Sequence, residues 1–64
     1  MKRASFIKHL LLQGCRFSRE GKRHTLYKNP KTGLFSTVPR HNEINQYLAE
    51  KICKDLGVSK PNEK

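Results

Sequence analysis

The stretch Asn29-Pro30-Lys31-Thr32-Gly33 constrains this chain more than any other. Proline presets φ at the start of a turn, asparagine bonds back to nearby backbone, and glycine closes the turn in the left-handed region. A turn of that kind joins two antiparallel strands. The flanking residues agree: Arg23 to Lys28 and Leu34 to Val38 read as strands, and Pro39 ends the second. Upstream, Cys15 to Glu20 alternates, with Cys15 and Phe17 on one side and Arg16 and Ser18 on the other. That predicts another short strand with one buried face. Glu20-Gly21 marks the intervening turn, where glycine is expected to tolerate a positive φ.

Helices are predicted on either side of these strands. Residues 5 to 13 have Ser5 as a cap, Phe6, Ile7, Leu10 and Leu11 as an apolar stripe, and Gly14 as a stop. His9 lies beside that stripe as a solvent-edge residue. After Pro39 a loop leads to a second helix, with Asn42 as its cap and Glu43 in its first turn. Ile44, Leu48, Ile52 and Leu56 follow at four-residue spacing, and Ala49 and Cys53 widen the stripe. Lys51 and Lys54 suit its last turns and Gly57 ends it. The polar tail, Ser59 to Lys64, is expected to fray.

The predicted order is helix, three antiparallel strands, helix: an α+β fold of α-β-β-β-α type. Two amphipathic helices must bury their stripes, and the small sheet offers them one shared face. The second strand sets His24, Leu26 and Lys28 against Thr25, Tyr27 and Asn29, and neither set is cleanly apolar. Tyr27 is therefore either core or an exposed ring on which a base stacks. The topology resembles the double-stranded-RNA-binding domain, whose partner is read by shape and phosphate.

Residues 1–64 make one domain, near the lower limit at which a core holds a fold without staples. Few residues can be spared for a deep pocket, which favours a surface-acting protein over an enzyme with an enclosed cleft. Fourteen Lys and Arg against five Asp and Glu give a formal charge of +9, which calls for a polyanionic partner. No segment approaches the ~18 apolar residues of a membrane-spanning helix. Lys8 and His9 interrupt the first apolar stretch, so it does not read as a signal peptide, and a cytoplasmic location is expected. Cys15 and Cys53 follow no metal spacing and are expected as reduced, half-buried small residues. The histidines at 9, 24 and 41 are scattered, so neither a metal nor a small-molecule cofactor is expected.

The chemistry gathers in Gly21-Lys22-Arg23-His24-Thr25-Leu26-Tyr27-Lys28, where a histidine stands behind two cations at a strand start. Val38-Pro39-Arg40-His41 repeats the pairing of cation and imidazole.

Several segments together resemble the HicA family of toxins from bacterial toxin–antitoxin pairs. They are Leu10-Leu11-Leu12-Gln13-Gly14-Cys15, Arg19-Glu20-Gly21-Lys22-Arg23-His24-Thr25-Leu26-Tyr27, Asn29-Pro30 and Val38-Pro39-Arg40-His41. Glu43-Ile44, Leu48-Ala49 and Ile52-Cys53-Lys54-Asp55-Leu56-Gly57 complete the set, in the family's order along nearly the whole chain. The resemblance implies a double-stranded-RNA-binding-like fold and a ribonuclease that cuts mRNA without the ribosome. It also implies a HicB-type antitoxin that covers the active surface. The family's catalytic histidine lies in a Gly-Ser-His motif at the start of the second strand, and the matching position is His24. Here Lys22-Arg23 replaces Gly-Ser, and the glycine stands one place earlier, at Gly21.

Cutting RNA without a metal uses the neighbouring 2′-hydroxyl as nucleophile. Its proton must be accepted, the departing 5′-oxygen must receive one, and positive charge must meet the phosphate. His24 is assigned the acid–base work, and Lys22 and Arg23 the phosphate contacts. Arg19 and Lys28 are further RNA contacts, and Arg40 is a phosphate clamp beside His41. Three readings of His41 stay open: a second acid–base group, an RNA or antitoxin contact, or a loop residue. Two other functions compete with cleavage. One is a non-catalytic basic module that holds RNA or DNA; the other is a ribosome-associated scaffold.

Overall fold

The computed structural model describes residues 1–61 of the 64. Its elements are α1 (Arg3–Leu12), β1 (Arg16–Glu20), β2 (His24–Asn29), β3 (Leu34–Pro39) and α2 (Gln46–Leu56). The strands form one antiparallel sheet in the order β1-β2-β3. This is the expected α-β-β-β-α fold. Among the described residues no helix is long and apolar enough to cross a membrane.

The β2–β3 turn forms as its residues predict. Gly33 takes φ +77°, its amide donates to the Asn29 carbonyl at 2.8 Å, and the Asn29 side chain accepts from Lys31 N–H at 3.1 Å. Asn29 also does something the turn does not require. Its side-chain amide donates to the Leu56 carbonyl at 2.8 Å, satisfying an orphan acceptor at the end of α2. Both helices end in Schellman turns. Gly14 and Gly57 have positive φ, and the residue after each donates back to the helix: Cys15 to Leu10 and Val58 to Cys53, both at 2.9 Å.

Both helix starts differ from expectation, for one shared reason. The backbone at Lys2 bridges that at Glu43, with Arg3 N–H donating to the Asn42 carbonyl and Ile44 N–H to Met1, each at 2.8 Å. This extra pairing holds residues 42–44 extended. Asn42 is therefore not the cap of α2; Asn45 is, accepting from Leu48 N–H at 2.8 Å. Glu43 likewise lies outside the first turn. At the other partner, α1 begins at Arg3, so Ser5 stands inside the helix and Lys2 precedes it without a side-chain cap.

Core residues are Phe6 and Leu10 from α1, Tyr27 and Val38 from the sheet, and Ala49, Ile52, Cys53 and Leu56 from α2, joined by Cys15 and Ile44. The α1 stripe is narrower than predicted, because Leu11 remains 44% exposed. Cys15 and Cys53 are fully buried rather than half-buried, and both are free thiols. Burial pushes the Cys53 thiol up to about 11. In β2 the inward set is Thr25, Tyr27 and Asn29, so Tyr27 belongs to the core. Of the polar tail, Ser59 accepts a 2.7 Å bond from the His9 ring through its carbonyl and Pro61 is buried. Residues 62–64 lie outside the described residues.

The predicted buried face of β1 does not form. All five of its residues are exposed, and Phe17 meets Tyr27 edge-on, with ring centres 6.2 Å apart. As an edge strand β1 contributes nothing to the core; Cys15, just before it, is its nearest buried residue. A bulge at Ser18 also shifts the register, so that Phe17 opposes Tyr27 but Arg19, not Ser18, opposes Leu26. One extra residue exchanges the faces of everything after it. Arg19 thereby joins the outward row of Leu26, and Glu20 joins the inward row of Thr25.

Candidate active site on the open sheet face

The β1–β2 turn carries Lys22 and Arg23 and delivers His24 as the first residue of β2. Gly21 serves it differently from the positive φ expected. Its N–H donates to the His24 carbonyl at 2.8 Å, and a Cβ at Gly21 would lie 3.0 Å from that same oxygen. Glycine here eases a close approach rather than supplying a positive φ. Among the described residues no non-glycine has positive φ. Lys22 and Arg23 therefore fill the places of the family's Gly-Ser with ordinary backbone conformations.

Two open grooves meet at His24. One, of about 480 Å³, is lined by Arg19, Gly21, Lys22, Arg23, His24, Leu26 and Thr37. The other, of about 550 Å³, is lined by Arg23, His24, Arg40 and His41. Arg23 and His24 belong to both and form the ridge between them. His24 and His41 thus face a common groove, although 17 positions separate them in the chain. Lys28 lies two steps along β2 from Leu26, on the same outward side, and lines neither groove. His24 and His41 are both exposed. Neither imidazole has a hydrogen-bond partner among the described residues, which leaves both free to meet a substrate.

Arg40 is differently placed. Its guanidinium donates to Glu20 through Nε at 3.0 Å and Nη2 at 2.6 Å. It also donates to the Lys22 carbonyl at 3.0 Å and to the Gly21 carbonyl. A fork so occupied fastens the turn from the wall of the groove that Arg40 lines with His24 and His41. Glu20 in turn accepts from the Thr25 hydroxyl at 3.1 Å, and that hydroxyl accepts from Arg3 at 3.1 Å. Arg3 also bonds the Pro39 carbonyl at 2.8 Å. The chain Arg3–Thr25–Glu20–Arg40 therefore ties the start of α1 to the turn that carries the cations. The Arg40 hydrogen bond, above all, lowers the Glu20 carboxyl below its ordinary value.

Among the described residues no ion-pair partner meets Arg19, Lys22, Arg23 or Lys28. The acid nearest in sequence, Glu20, is held by Arg40. The grooves are consequently a field of free positive charge around an accessible imidazole. No three of His, Cys, Asp and Glu converge among the described residues as a metal site would need. Sequence reasoning missed the positioning residues Arg3 and Thr25. Neither carries a local signal, because the contacts that matter join residues 22 positions apart.

The family model for the HicA toxin of bacterial toxin–antitoxin pairs matches residues 3–58. The chain belongs to the HicA toxin family. The match spans every element from α1 to α2 and the segments that carry His24 and His41. No curated protein and no solved structure matches this chain.

Proposed function

We propose that this HicA-family toxin is a ribosome-independent endoribonuclease that cuts mRNA without a metal, with His24 as its acid–base group. Residues 1–64 act as one domain, in the cytoplasm, where mRNA is the substrate. The carrying observation is the meeting of two cation-lined grooves at an exposed, unpartnered His24. An RNA strand crossing that ridge brings a phosphodiester to the imidazole, while Lys22, Arg23 and Arg19 face its negative charge. In its neutral form His24 accepts the 2′-hydroxyl proton as the oxygen attacks phosphorus. The departing 5′-oxygen takes a proton from an imidazolium or from water. His41, in the groove shared with His24, is the candidate for that donor. Arg40 acts as a positioning residue, through its hold on the Gly21 and Lys22 carbonyls.

The partner in this reading is a HicB-type antitoxin. It needs acidic or hydrogen-bonding groups laid across Lys22, Arg23 and His24, where opposite charge speeds encounter and occupancy excludes substrate.

The test is incubation of purified protein with single-stranded RNA in the presence of chelator. Wild-type protein should cleave it. His24→Ala should cleave roughly 10²- to 10⁴-fold more slowly, the usual worth of a positioned acid or base. The same variant should melt at the wild-type temperature and still capture RNA and antitoxin, because His24 is exposed. Undiminished cleavage by His24→Ala removes it from the mechanism. RNA left intact by the wild type favours a non-catalytic binding module.

A further inference from the structure

Beyond the grooves, the open sheet face carries an aromatic ring with no part in the reaction just described. Phe35 is 48% exposed. It pairs with Lys28 across the β2–β3 ladder, so both side chains leave the sheet on the side away from the helices. The Lys28 ammonium stands 5.7 Å from the centre of the Phe35 ring, within cation–π range. The next row of the ladder is Leu26 with Thr37, and the row after that is His24 with Pro39. Leu26 and Thr37 line the groove that reaches His24. Ring, groove and imidazole therefore lie on one continuous surface.

A single exposed phenylalanine is unremarkable by itself. What sets this one apart is the charge around it. The three strands contain one acid, Glu20, which stands on the inward row with Thr25 and is bonded to Arg40. The outward rows carry Arg19, His24 and Lys28 and no acid. Free cations beside a flat apolar ring match the two chemical faces of a single-stranded nucleic acid. Phosphates take the cations, and a base takes the ring.

We propose that Phe35, assisted by Lys28, is a base-stacking subsite for single-stranded RNA. The subsite rests on the RNA-cleaving reading above and extends it to substrate context. The Phe35 row, at Lys28, lies four positions along β2 from His24, or ~13 Å at ~3.3 Å per residue. The stacked base therefore belongs to a nucleotide flanking the one that is cut. Lys28 holds one face of the ring and meets the phosphate attached to that base. Stacking accepts any base, so the subsite requires a base at one flanking position without fixing its identity.

The experiment pairs ring variants with abasic substrates. Affinity is measured by fluorescence anisotropy with a short labelled 2′-O-methyl oligoribonucleotide, which binds without being cut. Phe35→Ala should weaken binding roughly 5- to 150-fold, the range for removal of one stacking ring. Phe35→Leu should be nearly as weak, because it keeps apolar area but loses the flat face, and Phe35→Trp should bind at least as tightly as wild type. An abasic site walked along the probe should reproduce the Phe35→Ala loss at one position. There the variant and the abasic site together should be no weaker than either alone, the signature of a shared contact. Melting temperatures confirm that each variant folds.

Equal affinity of wild type and Phe35→Ala overturns the subsite and leaves the ring to a protein partner. Wild-type affinity in Phe35→Leu also overturns it, reducing the ring to apolar contact. A separate arm follows cleavage of unmodified RNA by wild type. Cleavage with no Phe35 effect refutes the subsite alone, whereas absence of cleavage refutes the parent reading.

Discussion

The two faces of β2 break the usual rule in opposite senses. Toward the helices the strand sends Thr25, Tyr27 and Asn29, two of them polar and all buried. Toward solvent it sends His24, Leu26 and Lys28, beside the exposed ring of Phe35. Burial of polar groups is tolerated because each has partners: Thr25 between Arg3 and Glu20, Asn29 between Lys31 and Leu56. The apolar atoms of the open face lie among free cations. The covered face thus uses polar residues as fasteners, and the open face leaves apolar ones exposed among cations. Polarity alone cannot identify either face; partners can.

Replacing neighbours on opposite faces should separate them most sharply. Tyr27→Ala removes a buried ring that is 7% exposed. By analogy with other aromatic truncations it should cost about 3–5 kcal/mol. A domain of this length commonly holds only ~0.05–0.15 kcal/mol per residue, so Tyr27→Ala should remove a large share of its stability. Leu26→Ala, one residue away on the open face, should lose less than about 1 kcal/mol and should melt close to wild type. Urea unfolding followed by circular dichroism measures both. Equal losses would mean that the faces are not distinct in energy.

A smaller effect is expected at Asn29. Asn29→Ala strands the Leu56 carbonyl and the Lys31 N–H together, and should cost about 1–3 kcal/mol. Asn29→Asp sharpens the comparison, because it keeps the acceptor for Lys31 and loses the donor to α2. A loss in Asn29→Asp close to that of Asn29→Ala assigns the stabilisation to the helix end. A value close to wild type assigns it to the turn.

Features decided by near neighbours could be read from the sequence. The hairpin turn at Asn29–Gly33, the glycine stops of both helices, and the grouping of Lys22, Arg23 and His24 all follow from residues within a few positions. The α-β-β-β-α order follows from them. Features decided at a distance could not be read. Neither the Lys2–Glu43 bridge nor the Ser18 bulge has a local signature, yet the first moves both helix starts and the second chooses the face of Arg19. The same holds for the candidate site. Its cationic turn was legible, but the occupation of Arg40 by Glu20 and two carbonyls was not. Nor was the common groove of His24 and His41, which depends on β3 ending beside the start of β2. Phe35 was within reach, since counting back from the turn pairs Asn29 with Leu34 and therefore Lys28 with Phe35.

The smallest predicted effect concerns the fastener that joins the two faces. Glu20 has its carboxyl lowered from the ordinary 4.5, first by the hydrogen bond from Arg40 and then by that from Thr25, with burial opposing both. The unfolded chain therefore binds this proton more readily than the folded one. Stability rises with pH wherever that is so. The contribution of Glu20 is accordingly complete above pH 4.5 and is lost as pH falls through the lowered value in the folded state. Because the group is exposed, the effect should be slight and weakened by salt. Glu20→Gln should flatten that part of the stability curve while leaving the region above it nearly parallel to wild type. Thermal melts from neutral pH down to about pH 3, within reach of these carboxylate values, measure the difference. Parallel curves throughout would mean that Arg40 holds the turn through the Gly21 and Lys22 carbonyls alone. In that case the proposed RNA cleavage should be unchanged in Glu20→Gln and reduced in Arg40→Ala.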